Sequence, residues 1–186
     1  MKNIVFALLF ISTFLNVLAQ KNPEDSNFEV EIDPIAFALQ GYSFHGIYLN
    51  SRIRTDLGVF GIMQPVGFNG NEGFQIKTQG VGVKVNYLLT ENETWFTGIG
   101  LGYSTNRINL LESSEVQNQK IIGIGAHLGY RWFMFENASN ALRNLYLAPW
   151  FSIDYNIPIN DVSFETKNYN QQIISFFPTI HIGYKI

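Results

Sequence analysis

The stretch ISFFPTIHIGYKI, Ile174–Ile186, decides the fold. Every second residue is apolar or aromatic: Ile174, Phe176, Pro178, Ile180, Ile182, Tyr184 and Ile186. Between them stand Ser175, Phe177, Thr179, His181, Gly183 and Lys185. A period of two sends alternate side chains to opposite faces of a strand. The segment therefore reads as a strand with one greasy face and one mixed face.

Working outward, the same pattern recurs. Val81, Val83, Val85, Tyr87 and Leu89 alternate with Gly80, Gly82, Lys84 and Asn86, and Trp95–Tyr103, Ile122–Met134 and Leu145–Tyr155 repeat it. The greasy sets are long and aromatic-rich, whereas the other sets carry Gly, small polar groups, Lys84, Arg131 and Lys185. Burying those charges in a packed core would cost several kcal/mol each, about 2–7 even for an uncharged polar group left unbonded. A hydrogen-bonded lumen costs far less. The greasy faces are therefore expected to point outward to lipid and the mixed faces inward.

Composition agrees. Charged residues make up 15% of the chain, below the roughly 25% of ordinary soluble domains. Phe numbers 16, Tyr 9 and Gly 16, which suits a barrel with a lipid-facing exterior. A net charge of −3 provides no basic surface and argues against nucleic acid. Lys2, the apolar run from Ile4 to Leu18 and the small residues before position 20 read as a signal peptide over 1–19. Residues 20–27 follow as a polar periplasmic leader and 28–186 as the barrel. There is no Cys, hence no lipoprotein anchor and no disulfide framework.

Connections alternate in length. Asn50-Ser51, Thr90–Glu93 and Glu136–Ala141 read as the shorter turns; Gln64–Glu72, Leu111–Gln119 and Asn156–Gln171 read as longer polar loops. Counting back from the last strand requires Tyr42–Leu49 to descend and Phe28–Ile32 to rise before it, which makes eight strands. Asp33–Gly41 between them fits either a short helix, with Asp33 as N-cap, Pro34 at N1 and Gly41 at C′, or a bent strand. Tyr48, Tyr87, Trp95, Trp132 and Tyr184 fall outward at one end, Tyr103 and Tyr155 at the other, as aromatic girdles do. The fold class is thus all-β: a single eight-stranded antiparallel transmembrane β-barrel behind a signal peptide.

Glu31–His45 (EIDPIAFALQGYSFH), Leu57–Gly61 (LGVFG) and Phe177–Tyr184 (FPTIHIGY) carry a resemblance to the small eight-stranded outer-membrane β-barrel proteins of Gram-negative bacteria, in particular uncharacterised barrels of the Bacteroidota. The resemblance implies location in the cell outer membrane. The partners it implies are outer-membrane lipid, lipopolysaccharide and the barrel assembly machinery. Such barrels commonly end on an aromatic residue; here Ile186 is last, with Tyr184 two residues before it.

Three constellations are candidates for chemistry. With Asn50-Ser51 as a two-residue turn, His45 stands opposite Asp56 and Ile47 opposite Arg54, with Ser43 beside His45 on the inward face. A nucleophile, a base and a carboxylate are the parts of acyl chemistry. The same trio equally forms a hydrogen-bonded plug with Arg54, because buried polar groups must be paired. His127, Arg131 and His181 are also inward, and extend a polar lumen network. These histidines lack His-x-His spacing, Cys or paired carboxylates, so no metal or cofactor is assigned. Pro149 and Pro178, on neighbouring strands, form a candidate lateral gate, since proline withholds a ladder donor. The Gly98–Gly102 series is expected to make room for bulky neighbours such as Trp150 or Phe96.

Inward Tyr146, Trp150, Phe133 and Phe177 crowd an interior that eight strands leave just wide enough for side chains. The reading taken is a non-enzymatic barrel with a plugged polar lumen, in an envelope-structural or surface-interaction role. The alternatives are a lipid-modifying enzyme using Ser43, His45 and Asp56, and a carrier of a small apolar ligand.

Overall fold

The computed structural model describes residues 27–67, 70–138 and 141–186; the signal peptide and nearly all of the leader read from the sequence lie outside them. Strands β1 (Phe28–Ile32), β2 (Tyr42–Asn50), β3 (Ile53–Met63), β4 (Phe74–Leu88), β5 (Trp95–Leu110), β6 (Val116–Tyr130), β7 (Trp132–Phe133), β8 (Leu145–Pro158) and β9 (Ile174–Lys185) pair antiparallel throughout. The short β7 continues the stave begun by β6, and β1 pairs with β9, so eight staves close into a ring. Closure leaves no free edge around most of the circumference.

The polarity is inverted relative to a water-soluble core. Ile99 is 68% exposed, Leu57 66% and Phe176 66%, while Arg54 is 2% and Arg131 0% exposed. Leaving one such apolar side chain in water rather than burying it forgoes roughly 1.5–3 kcal/mol. The girdle residues Tyr48, Tyr87, Trp95, Trp132, Tyr103 and Tyr155 are all exposed on the outward face. One end of the barrel, the turn end, carries both termini of the ring and the connections at 51–52, 89–94 and 134–144. The opposite, loop end carries 64–73, 111–115 and 159–173.

Local chemistry settles Asp33–Gly41 as helix α1 (Pro34–Ala38). Asp33 Oδ1 accepts from Ile35 N at 2.7 Å and Ala36 N at 3.4 Å, and Pro34 opens the first turn without needing a donor. The left-handed residue after the helix is Gln40 (φ 56°), not the expected Gly41. Gly41 is small for another reason: a Cβ there would stand 1.8 Å from the Gly61 carbonyl oxygen.

Two connections differ from the sequence expectation. The first hairpin turns at Ser51-Arg52, with Ser51 at φ 55°, and pairs Asn50 with Ile53, His45 with Gly58, Ile47 with Asp56 and Leu49 with Arg54. The register is thus two residues away from the pairing of His45 with Asp56 and Ile47 with Arg54. An even slip preserves faces, so every inward residue stays inward. The expected loop Leu111–Gln119 is shorter: β5 and β6 run on as a hairpin, and Gln119 is a buried residue of β6.

The prolines occupy two different seams. Ile159 N donates to Lys120 O at 2.8 Å, so odd-numbered residues of β8 turn their main-chain groups toward β6. Pro149 is one of them and lies level with Tyr130. There the ladder stops at Gly129–Trp150 and resumes in the same register at Trp132–Leu147. Pro149 lacks the donor that would bridge the interruption. Ile186 N donates to Phe28 O at 2.8 Å, so even-numbered residues of β9, Pro178 included, face the β1 side. Between β8 and β9 the ladder is unbroken from Leu145–Tyr184 to Tyr155–Ile174. The gate expected from Pro149 and Pro178 in that one seam is therefore absent.

On its other side β9 is paired with β1 only over Ile182–Lys185. Above that, α1 stands in the wall beside the unpaired part of β9, and Thr179 Oγ1 donates to Asp33 Oδ2 at 2.7 Å.

Candidate functional site

The lumen has two tiers. At the turn end, β1 delivers Glu29 and Glu31 into the interior, where both are buried. Arg54 Nε donates to Glu29 Oε2 at 2.8 Å and its Nη2 to Glu31. Arg131 Nη1 donates to Glu29 Oε1 at 2.5 Å and its Nη2 to Glu93 Oε2 at 3.0 Å, while Lys185 Nζ reaches the same Glu93 oxygen at 2.8 Å. Tyr146, fully buried, donates its hydroxyl between Glu29 Oε2 and Glu31 Oε1, each at 2.9 Å. Glu31 Oε2 also meets His181 Nδ1 at 2.7 Å. Charges taken out of water are tolerable only when paired and hydrogen-bonded on all sides, and this cluster meets that demand. Phe96 under the Arg54 guanidinium (5.5 Å) and Phe133 beside Arg131 (5.3 Å) complete the seal.

Above the plug lies the trio singled out in the sequence. Ser43 Oγ is 3.1 Å from His45 Nε2, and His45 Nδ1 is 2.8 Å from Asp56 Oδ1. They meet despite the changed register because Gly58, opposite His45, lets the imidazole lie across it; a Cβ there would stand 2.4 Å from the ring. The connectivity is that of a proton relay. Its members are held by neighbours: Ser43 is 3% exposed, the His45 ring sits 4.7 Å from that of His181, and Asp56 Oδ2 is held by Lys84 Nζ at 2.9 Å, while Ser43 and His45 also border a cavity above them. His127 bonds Asn86 through Nε2, apart from the trio. Of the expected network, His45, Arg54, Asp56, His181 and Arg131 join through shared carboxylates or ring contact.

Sequence reasoning missed the plug's hub. Tyr146 was read only as bulk, yet its hydroxyl links both glutamates. Its inward parity was a signal, as was that of Glu29 and Glu31. Glu93 sits in a turn, where no periodicity announces it.

The second tier is a cavity of about 330 Å³ toward the loop end, so the plug does not fill the lumen throughout. Its wall on β4, β5 and β6 is bare backbone: Gly82 pairs with Gly102, and Gly102 with Gly123. A Cβ at Gly82 or Gly102 would meet nothing nearer than 3.5 Å. Elsewhere inward glycines are filled: Gly98 by Asn86, Gly125 by Asp154, Gly129 by Phe96 and Trp150, Gly183 by Tyr146. The expectation for Gly98–Gly102 is thus corrected: the residue spared to admit Phe96 and Trp150 is Gly129, and Gly102 faces open space. Phe60 on the neighbouring β3, Trp150 on the neighbouring β8 and Phe177 on β9 also line it, together with polar residues that include Ser43, His45, Lys84, Asp154 and Asn156.

The loop end is narrowed by the 159–173 connection. Phe164 is buried against Phe74, Ile76, Ile108 and Leu110, with Tyr169 beside them. This partial burial raises the Tyr169 hydroxyl above its ordinary pKa. Asn71 and Asn170 clamp the two long loops together, Nδ2 to carbonyl at 3.0 Å and amide N to Oδ1 at 2.9 Å.

No family model matches the chain, and no curated protein matches it. Among solved structures, the crystal structure of Neisserial surface protein A, an outer-membrane β-barrel, is similar over 87% of this chain and 98% of that one. The TM-score is 0.55 and the identity 14%. Identity that low carries the fold alone: an antiparallel β-barrel of eight staves.

Proposed function

We propose that this chain is a non-enzymatic β-barrel of the Gram-negative outer membrane, spanning the bilayer through its eight staves and serving an envelope-structural or surface-interaction role. The observation that carries the reading is the inverted polarity: a continuous exposed apolar exterior around an ion-paired interior. The plug makes an open diffusion channel unattractive, because conduction would require dismantling Glu29, Arg54, Arg131 and Tyr146 together. Partners under this reading are bilayer lipid, lipopolysaccharide and the machinery that inserts barrels. The loop segments around Asn71 and Asn170, clamped to each other, form a surface toward the cell exterior under this reading.

A deletion strain tests the proposal. The expected outcome is increased sensitivity to detergent with an unchanged lipid A acyl pattern. An altered acyl pattern, restored by wild type but not by His45→Ala, would overturn the non-enzymatic assignment.

A further inference from the structure

We propose that the upper lumen cavity is a binding site for a single hydrocarbon chain of a bilayer lipid, admitted sideways through the seam between α1 and β9. The inference rests on the bilayer-spanning reading above and adds a ligand class and a route.

The glycine wall supplies the site. Gly82, Gly102 and Gly123 form a row across three adjacent staves; no side chain stands against Gly82 or Gly102, and the Asn156 amide oxygen borders Gly123 at 3.4 Å from a would-be Cβ. Trp150 and Phe177 lie 6.0 Å apart between ring centroids, Phe60 joins them on the cavity lining, and the Lys84 ammonium stands 4.4 Å from the Trp150 ring centroid. Polar groups on the same lining are held by protein partners, Ser43 by His45 and Asn156 by Ser175 and the Gln172 carbonyl, so the backbone and aromatic surfaces that remain suit an unbranched methylene chain, which brings no donors or acceptors to satisfy. A volume of about 330 Å³ lies at the small end of ligand pockets, which run about 300–1,000 Å³. Charges near the floor are already engaged: Lys84 with Asp56, Asp154 with Ser152. An anionic or cationic head would have to displace those partners, whereas an acyl tail does not.

The seam supplies the route. Among the described residues no strand partner covers the β1-facing side of β9 above Ile182, and Phe176, Pro178 and Ile180 turn their main-chain groups there. Pro178 offers no N–H to a pairing strand, which keeps that edge from being zipped shut. What closes it is α1, tied to β9 by the Asp33–Thr179 hydrogen bond. Asp33, Ala36, Phe176 and Phe177 all line the cavity, so the seam opens directly into it. Outside, Ile35, Phe37, Phe44 and Phe176 are exposed and form an apolar rim. The clamped loops narrow the alternative route from above.

The test uses tryptophan fluorescence of the full mature chain in vesicles of a phosphatidylcholine brominated along one acyl chain, compared with unbrominated lipid. The chain has three tryptophans. In the Trp95→Phe, Trp132→Phe background only Trp150 reports. Quenching of Trp150, lost when Gly102→Leu or Gly82→Leu fills the slot, is the expected result. No quenching overturns the site, and quenching undiminished by both leucine variants shows that bromine acts through the wall and overturns it equally. In Trp150→Phe, the outward Trp95 and Trp132 report insertion. Their failure to quench would overturn the bilayer reading and this inference with it, and their quenching without that of Trp150 overturns this inference alone.

Discussion

Arg131 and Glu29, 102 residues apart in sequence, meet inside the barrel with Nη1 2.5 Å from Oε1. The contact ties the sixth stave to the first across the lumen. Arg54 approaches the other Glu29 oxygen from β3, so a single carboxylate links three staves. Removing one partner strands the others in a dry interior. Arg54→Met is therefore expected to destabilise the barrel by about 3–5 kcal/mol, the usual cost of breaking a buried ion pair. Urea unfolding of detergent-refolded protein, followed by tryptophan emission, measures it.

The glycines divide into filled and open positions, and the division makes a paired prediction. Gly58→Val drives a side chain into the His45 ring, 2.4 Å from the would-be Cβ, and is expected to cost about 1–3 kcal/mol as overpacking does. Gly82→Ala, with nothing nearer than 3.5 Å, is expected to leave the unfolding midpoint unchanged. The same urea titration reads both.

Periodicity revealed which way each residue faces, because parity along a strand needs no knowledge of its neighbour. Ser43, Arg54, Asp56, His127, Arg131 and His181 are buried, and the His45 side chain is 8% exposed. Register was less legible. The first turn has no Asn-Gly to fix it, and Ser51 takes the left-handed conformation without being glycine or asparagine. Pairings across the lumen, such as Tyr146 with Glu29 and Glu31, depend on barrel stagger, which alternation does not encode. The cavity was illegible for a related reason: whether Gly102 or Gly129 is filled depends on which side chain lies across the strand pair.

Pro149 interrupts the sixth stave at Tyr130, so restoring its donor should help. Pro149→Val is expected to stabilise by about 0.5–1.5 kcal/mol, the net value of one hydrogen bond. Pro178→Val, whose new N–H would face the unpaired side of β9, is expected to bring no such gain. Thermal unfolding seen by circular dichroism distinguishes the two.

The relay Ser43–His45–Asp56 has the connectivity of a nucleophile and its base and borders the upper cavity, yet Ser43 is only 3% exposed and Asp56 is shared with Lys84. The plug account expects no covalent labelling of the folded barrel by a fluorophosphonate. Intact-mass spectrometry before and after exposure decides it. A stoichiometric adduct abolished by Ser43→Ala would assign the trio to catalysis.

The central claim is that the apolar faces point away from the barrel axis into hydrocarbon. The absence of cysteine allows one spin label to be placed unambiguously at Ile99→Cys, an outward position 68% exposed. Power-saturation measurements in lipid vesicles compare its collisions with oxygen, which concentrates in the bilayer, and with a water-soluble nickel chelate. High oxygen and low nickel accessibility is the predicted result. A label bathed in the nickel reagent, on a chain that stays monomeric in water without detergent, would contradict the account.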